Sequence, residues 1–207
     1  MISSFALYQE NGLFPAWHVY GSTASTMKRT TSINVKNDNN DNSEEIDNDL
    51  HELFLDELSD LYSAEKQLTK ALPKMVKAAQ SDELKSAIQS HLEETEGHVD
   101  RLQKAFQSLG EKLKRKTCAA MEGLIEEASE LLQEQEGKSS LDAAIIAAAQ
   151  KVEHYEIASY GTVHAWAQQM GHGEVAELLQ ATLEEESAAD EKLTEIAESL
   201  ANATART

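Results

Sequence analysis

Proline is nearly absent from this chain of 207 residues, which holds only 2, and glycine is sparse at 9. Both interrupt helices, so their scarcity beside abundant Ala, Leu, Glu, Lys and Gln predicts helix throughout. Cysteine occurs once, at Cys118. A single cysteine excludes an intrachain disulfide framework and a thiolate metal cluster, and it suits a reducing cytoplasm. No apolar run is long enough to cross a bilayer. Basic residues are outnumbered, with 18 Lys and Arg against 37 Asp and Glu and a net charge of −19. That balance argues against nucleic acid and against an anionic membrane surface as partners. The length suits one domain, or one domain with a tail.

Residues 1–47 differ from the rest. Met1 to Thr31 mix Ser, Thr, Gly and aromatics without a period, and Asn34 to Asn48 form an Asn/Asp/Ser/Glu run that cannot build a core. The start lacks the basic residues of a secretory signal, and its apolar residues are broken by Gln9, Glu10 and Asn11. A disordered or low-complexity tail over 1–47 is expected, and Met27-Lys28-Arg29 is a candidate alternative translation start, the choice between Met1 and Met27 staying open.

From 48 to 203 the pattern predicts an all-α domain. A first helix runs from about Leu50, capped by Asp47 or Asn48, to about Ala79, with a kink or break expected near Thr69 to Pro73. A second starts at Ser81-Asp82-Glu83 and stops at Gly110. Residues 110–140 connect, with a basic segment at Glu111 to Lys116 that reads as a solvated loop, and a short amphipathic helix opening at Met121. A third long helix begins near Ser140 or Leu141 and ends near Gly171-His172-Gly173; a fourth runs from Glu174 to about Leu200. A connector of this length permits a crossover rather than simple up-and-down topology.

Glutamates interrupt the apolar stripes of these helices. Ala149, Glu153, Glu156, Tyr160, Val163 and Ala167 share one helical face, and Leu58, Leu61, Glu65, Leu68 and Leu72 share another. An ionised carboxylate on a core face is costly unless a cation accompanies it. Glu65 and Glu156 are 91 positions apart, as are Glu94 and Glu185, and so are Leu92-Glu93-Glu94 and Leu183-Glu184-Glu185. A diverged duplication of a helical hairpin accounts for the shift. In each hairpin the turn lies midway between its two glutamates, so Glu65, Glu94, Glu156 and Glu185 are expected at one height.

Four level carboxylates from four helices fit a carboxylate-bridged pair of divalent metal ions, iron before manganese. Glu153, one turn before Glu156, is the best added ligand. His91, a turn before Glu94, is a candidate ligand, and His98, a turn after, is a second. His154 is expected to point away. For each histidine a structural or surface role is the default. Tyr62 and Tyr160 lie a turn from Glu65 and Glu156, as core residues or as donors to the carboxylates. Glu186 and Asp190 offer another carboxylate or a salt-bridged surface.

The segments Leu61-Tyr62-Ser63-Ala64-Glu65-Lys66-Gln67-Leu68, His91-Leu92-Glu93-Glu94-Thr95, Cys118 to Ala128, Ala147 to Gly161 and Thr182-Leu183-Glu184-Glu185-Glu186 resemble the YciF-type bacterial stress proteins, a branch of the ferritin-like superfamily. The resemblance covers about residues 49–200. It implies a ferritin-like four-helix bundle of two antiparallel hairpins with a helical crossover, a dinuclear metal site, a homodimer and a part in general stress responses. It carries no defined enzymatic reaction. One departure stands out. Many ferritin-like proteins place a His three residues after the glutamate on the second and fourth helices, where this chain has Gly97 and Ala188. That implies a more carboxylate-rich site or an alternative ligand at His91 or His98.

Three functions follow. The first is a metal-binding stress protein in which iron meets oxygen or peroxide. The second is a non-catalytic helical interaction or structural protein. The third is a catalase-like manganese protein.

Overall fold

The computed structural model describes residues 41–204, with side chains described from 49 to 200. Of the tail expected over 1–47, residues 1–40 lie outside the described residues, and 41–47 are helical. Five helices follow in order: α1 Asp41–Ala78, α2 Asp82–Leu109, α3 Ala119–Gln135, α4 Leu141–Gln169 and α5 Gly173–Thr204. Among the described residues there is no strand, and no helix is long and apolar enough to cross a membrane.

The helix ends follow local chemistry. Ser81 caps α2, its side chain accepting from the Leu84 amide, and Asp82 and Glu83 complement the helix dipole. Gly110 ends α2 at φ 70°, a left-handed conformation that costs glycine little. Cys118 caps α3 through its sulfur, which accepts from the Met121 amide. Two boundaries differ from the sequence reading. α1 begins at Asp41 rather than near Leu50, and it continues through Pro73. Proline inside a helix costs about 3 kcal/mol or more. Here Leu68, Leu72 and Met75 are buried on both sides of it, and their packing holds the helix in one piece.

α1 pairs with α2 and α4 pairs with α5, each as an antiparallel hairpin; α2 also packs on α5 and α1 on α4, which closes a four-helix bundle. α3 is the crossover and lies against α1 and α4. Asp142 at the start of α4 accepts from the backbone amides of Gln80 (2.7 Å) and Ser81 (2.8 Å), pinning the α1–α2 turn to the second hairpin. The basic segment is strapped onto α1: Lys116 pairs with Asp56 at 2.8 Å and the Lys114 amide donates to Ser59.

Residues 91 positions apart occupy matching buried places. Phe54 matches Ile145, Leu61 matches Val152, Glu65 matches Glu156, Leu84 matches Val175, Ile88 matches Leu179 and Leu102 matches Leu193. The apolar interior falls into two clusters. One holds Leu68, Leu72, Ile88, Ile145, Val152 and Leu193; the other holds Phe54, Leu58, Leu61, Leu102, Val163 and Leu179. Apart from Ser59 and Asp142, the buried polar residues of the long helices fall between the two.

Candidate metal centre

The polar layer takes Glu65 from α1, His91, Thr95 and His98 from α2, Glu153 and Glu156 from α4, and Thr182 and Glu186 from α5, all of them buried. Glu65, Glu156, His98 and Glu186 have no exposed surface. Two sets of donor atoms converge. His91, Glu153, Glu156 and Glu186 form one, and Glu65, His98 and Glu186 form the other, with the atoms of each within 4.8 Å of one another. Glu186 belongs to both, so it sits where a carboxylate bridging two ions would sit.

Several buried atoms here lack a hydrogen-bond partner, among them Glu65 Oε2, both nitrogens of His91, Glu153 Oε2, both oxygens of Glu156 and Glu186 Oε2. Buried polar atoms are nearly always paired, because an unpaired one loses its hydration without compensation. So many orphans facing a common point fit a cation. The donor set fits as well. Four carboxylates and two imidazoles is the composition of the di-iron carboxylate bundles. Its distribution differs, since both imidazoles come from α2 and two carboxylates come from α4.

The remaining contacts orient these donors. Tyr160 donates to Glu65 Oε1 at 2.5 Å, which leaves the other oxygen of Glu65 toward the layer. His98 Nε2 lies 2.8 Å from Glu185 Oε2, and Arg101 grips that carboxylate with two hydrogen bonds of 2.5 and 2.6 Å. A proton held on Nε2 by Glu185 presents Nδ1 to the site, where Glu65 Oε1 is 3.5 Å away and Glu186 Oε1 2.9 Å away. His91 Nε2 lies 3.4 Å from Glu153 and 3.8 Å from Glu186.

The electrostatics follow from burial beside like charges. Burial raises Glu65, and it pushes Glu153 and Glu156 well above the carboxylate range, with neighbouring carboxylates adding to the effect. Burial works against charge on the histidines too, but the carboxylates outweigh it. Glu153, Glu94 and Glu186 raise His91 to about 9, and Glu186 and Glu65 raise His98 to about 10. Glu185 is held low by the Arg101 hydrogen bond. The layer therefore retains protons that a metal ion would have to displace.

The structure gathers Glu65, Glu153, Glu156 and His91 from among the expected ligands. It does not gather Glu94 or Glu185. The Glu94 side chain is 41% exposed at the edge of the layer, 3.6 Å from His91 Nδ1. Glu185 is turned to Arg101 and holds His98 from behind. Their expected places facing the centre are taken by Thr95 and Glu186, each one residue further along. His98, one residue after Gly97, brings an imidazole into the layer. The stripes held the signal: Leu84, Ile88, His91, Thr95, His98 and Leu102 form one unbroken face, and so do Leu179, Thr182, Glu186, Ala189 and Leu193. Tyr62 accepts a hydrogen bond from Gln103 away from the layer, and His154 is exposed and paired with Asp190.

A family model described as a domain of unknown function, DUF892, matches residues 49–206. Protein YciF of Escherichia coli K12 is 52% identical over 149 residues, which is 72% of this chain and 90% of that protein. The crystal structure of the E. coli stress protein YciF superposes with a TM-score of 0.72 at 51% identity, covering 74% of this chain and 97% of that one. YcfI of Rhodopseudomonas palustris superposes with a TM-score of 0.68 at 48% identity, covering 70% and 92%.

Proposed function

The chain belongs to the DUF892 family, and we propose that it is a dinuclear metal protein serving a general stress response, with iron preferred over manganese. The observation that carries this reading is the pair of buried donor sets sharing Glu186, with their unpartnered atoms. Glu65 and His98 would hold one ion, His91, Glu153 and Glu156 the other, and Glu186 both. Imidazole with carboxylate suits iron, and an all-oxygen site would have favoured manganese more. Ferrous ions held there would supply electrons to oxygen or peroxide.

The chain's own residues prepare the site. Tyr160 fixes the Glu65 carboxylate, and the Arg101–Glu185 pair fixes the His98 tautomer. The two apolar clusters flank the buried donors along the bundle, while a cavity between α2 and α5 reaches His91 and Glu153 from the side. The proposal includes a homodimer in the cytoplasm with oxygen or peroxide as the small partner. The alternative of a non-catalytic structural protein keeps the same residues but uses the ions only to neutralise buried charge.

Elemental analysis of protein purified without added metal tests the reading. Two ions per chain are expected. Glu186→Gln should lose most of both, since it touches both sets, while the surface change Glu198→Gln should lose none. Full metal content in Glu186→Gln would sink the dinuclear proposal. Anaerobic iron loading followed by oxygen exposure then separates a redox centre from a structural one.

A further inference from the structure

The connector between α2 and α3 concentrates positive charge on a chain of net charge −19. Lys112, Lys114, Arg115 and Lys116 are four of its 18 basic residues. From 111 to 118 the connector has no helix or strand of its own, yet it is built onto α1. The Lys114 amide donates to Ser59 at 3.3 Å, the Cys118 amide donates to Ser63 at 2.9 Å, and Gln67 donates to the Cys118 carbonyl at 3.0 Å. Between the connector and α1 lies a pocket of about 360 Å³. Tyr62, Ser63 and Lys66 line its α1 side, and their spacings of three and four put them on one face of the helix. Ser63 and Gln67 flank Lys66 in the chain and both bond to Cys118, so Lys66 lies beside the end of the connector.

The lining holds four cations, Lys66, Lys114, Arg115 and Lys116, and no carboxylate. Two of the four are tied down from outside it. Asp56 pairs with Lys114 at 3.4 Å and with Lys116 at 2.8 Å, and Asp60 pairs with Lys116 at 3.4 Å. Among the described residues nothing pairs with the side chains of Lys66, Arg115 or Thr117. The hydroxyls of Tyr62 and Ser63 accept hydrogen bonds, from Gln103 and from the Cys118 amide, and keep their own protons to give. The pocket therefore collects donors and unpaired positive charge with no acceptor to match. The acidic remainder of the protein does not cancel this, since charges beyond about 8 Å are largely screened at physiological ionic strength.

We propose that this pocket binds a small phosphomonoester. A phosphomonoester carries roughly −1.5 to −2 charge at pH 7, which matches the two unpaired cations, whereas a carboxylate matches only one. The phosphoryl group lies between Lys66 and Arg115, whose guanidinium binds two of its oxygens, and the Ser63 and Thr117 hydroxyls donate to it. The organic body lies against Tyr62 and Leu113. The volume is at the small end of the range of about 300–1,000 Å³ for small-molecule sites. No residue of the metal centre lines this pocket, so the inference stands apart from the metal reading.

Calorimetry on the full-length chain in about 0.15 M salt tests it, with phenyl phosphate, inorganic phosphate, benzoate and a polyglutamate peptide as probes. Phenyl phosphate should bind once per chain and more tightly than the other three. Lys66→Ala combined with Arg115→Ala changes two exposed lining residues and should weaken it by about tenfold or more. Lys70→Ala combined with Lys77→Ala removes the same charge from exposed positions of α1 outside the lining and should leave binding unchanged. All four side chains are exposed, so both variants should keep the wild-type melting temperature. Equal weakening in the two variants overturns the proposal, because general charge would then be the cause. Full binding in the Lys66 and Arg115 variant overturns it too, since the phosphate would then sit elsewhere, as on the metal centre. Polyglutamate or benzoate binding as tightly as phenyl phosphate, or no binding of phenyl phosphate, has the same consequence.

Discussion

In the α1–α2 hairpin the polar layer carries one carboxylate and two imidazoles, Glu65, His91 and His98; in the α4–α5 hairpin it carries three carboxylates, Glu153, Glu156 and Glu186. Most of the apolar residues around these groups correspond at a spacing of 91, Leu68 against Ser159 and Val99 against Asp190 being exceptions, but the polar ones mostly do not. His91 corresponds to Thr182, Thr95 to Glu186, and Glu153 to Tyr62. A hydrophobic stripe constrains a duplicated hairpin through packing alone, and each half must satisfy it. The centre is shared between halves, so either half can supply a given donor. The first hairpin can specialise in imidazole and the second in carboxylate while the frame stays common.

The comparison breaks most visibly if the frame is not common. Ile88→Ala and Leu179→Ala delete equivalent buried side chains, and each should destabilise the protein by about 2–5 kcal/mol in urea unfolding. A near-neutral result at one position and a large loss at the other would mean that the halves do not pack alike.

An intermediate effect comes from the imidazoles of the first hairpin. His91 and His98 are raised from 6.5 to about 9 and about 10 in the folded, metal-free protein. A group raised on folding adds stability in full below its unfolded pKa and loses it as the pH climbs through its folded value. Melting temperature in chelator should therefore fall as pH rises from about 6.5 toward 10. The carboxylates of the second hairpin, raised by burial, act in the same direction, their contribution being lost as pH rises above the ordinary carboxylate range. Metal-loaded protein should show a flatter profile, because the ions displace these protons. A metal-free melting temperature that climbs over this range would contradict the charge arrangement.

The smallest effect is expected where the hairpins touch at the surface. Lys192 on α5 reaches Glu83 on α2 at 3.2 Å, and both side chains are about half exposed. Exposed ion pairs contribute little. Lys192→Ala should leave the melting temperature unchanged within error, and a clear drop would mean that the surface joins the halves more than the core does.

Helix number and most helix ends could be read from the chain, because caps and breakers act locally: Ser81 and Gly110 bound α2 in both readings. So could Glu65, Glu153 and Glu156, which interrupt clear apolar stripes. The fourth helix was harder. Glu184, Glu185 and Glu186 are chemically alike and consecutive, and one step along a helix turns a side chain by about 100°. Matching Glu185 to Glu94 by likeness of sequence selected residues at the edge of the layer. Continuing the stripe from Leu179 to Leu193 selects Glu186.

By itself, then, the sequence determined an all-helical chain, its two related hairpins and the acidic character of its interior, since period, capping and composition act within a few turns. The tertiary structure alone decided which donors meet. His91 and His98 come from one helix, Glu186 stands between two donor sets, and Arg101 turns Glu185 away from the centre. Those outcomes depend on distances of a few ångströms between helices far apart in the chain. Ligand geometry and charge pairing are sensitive at that scale, and helical periodicity does not reach across it.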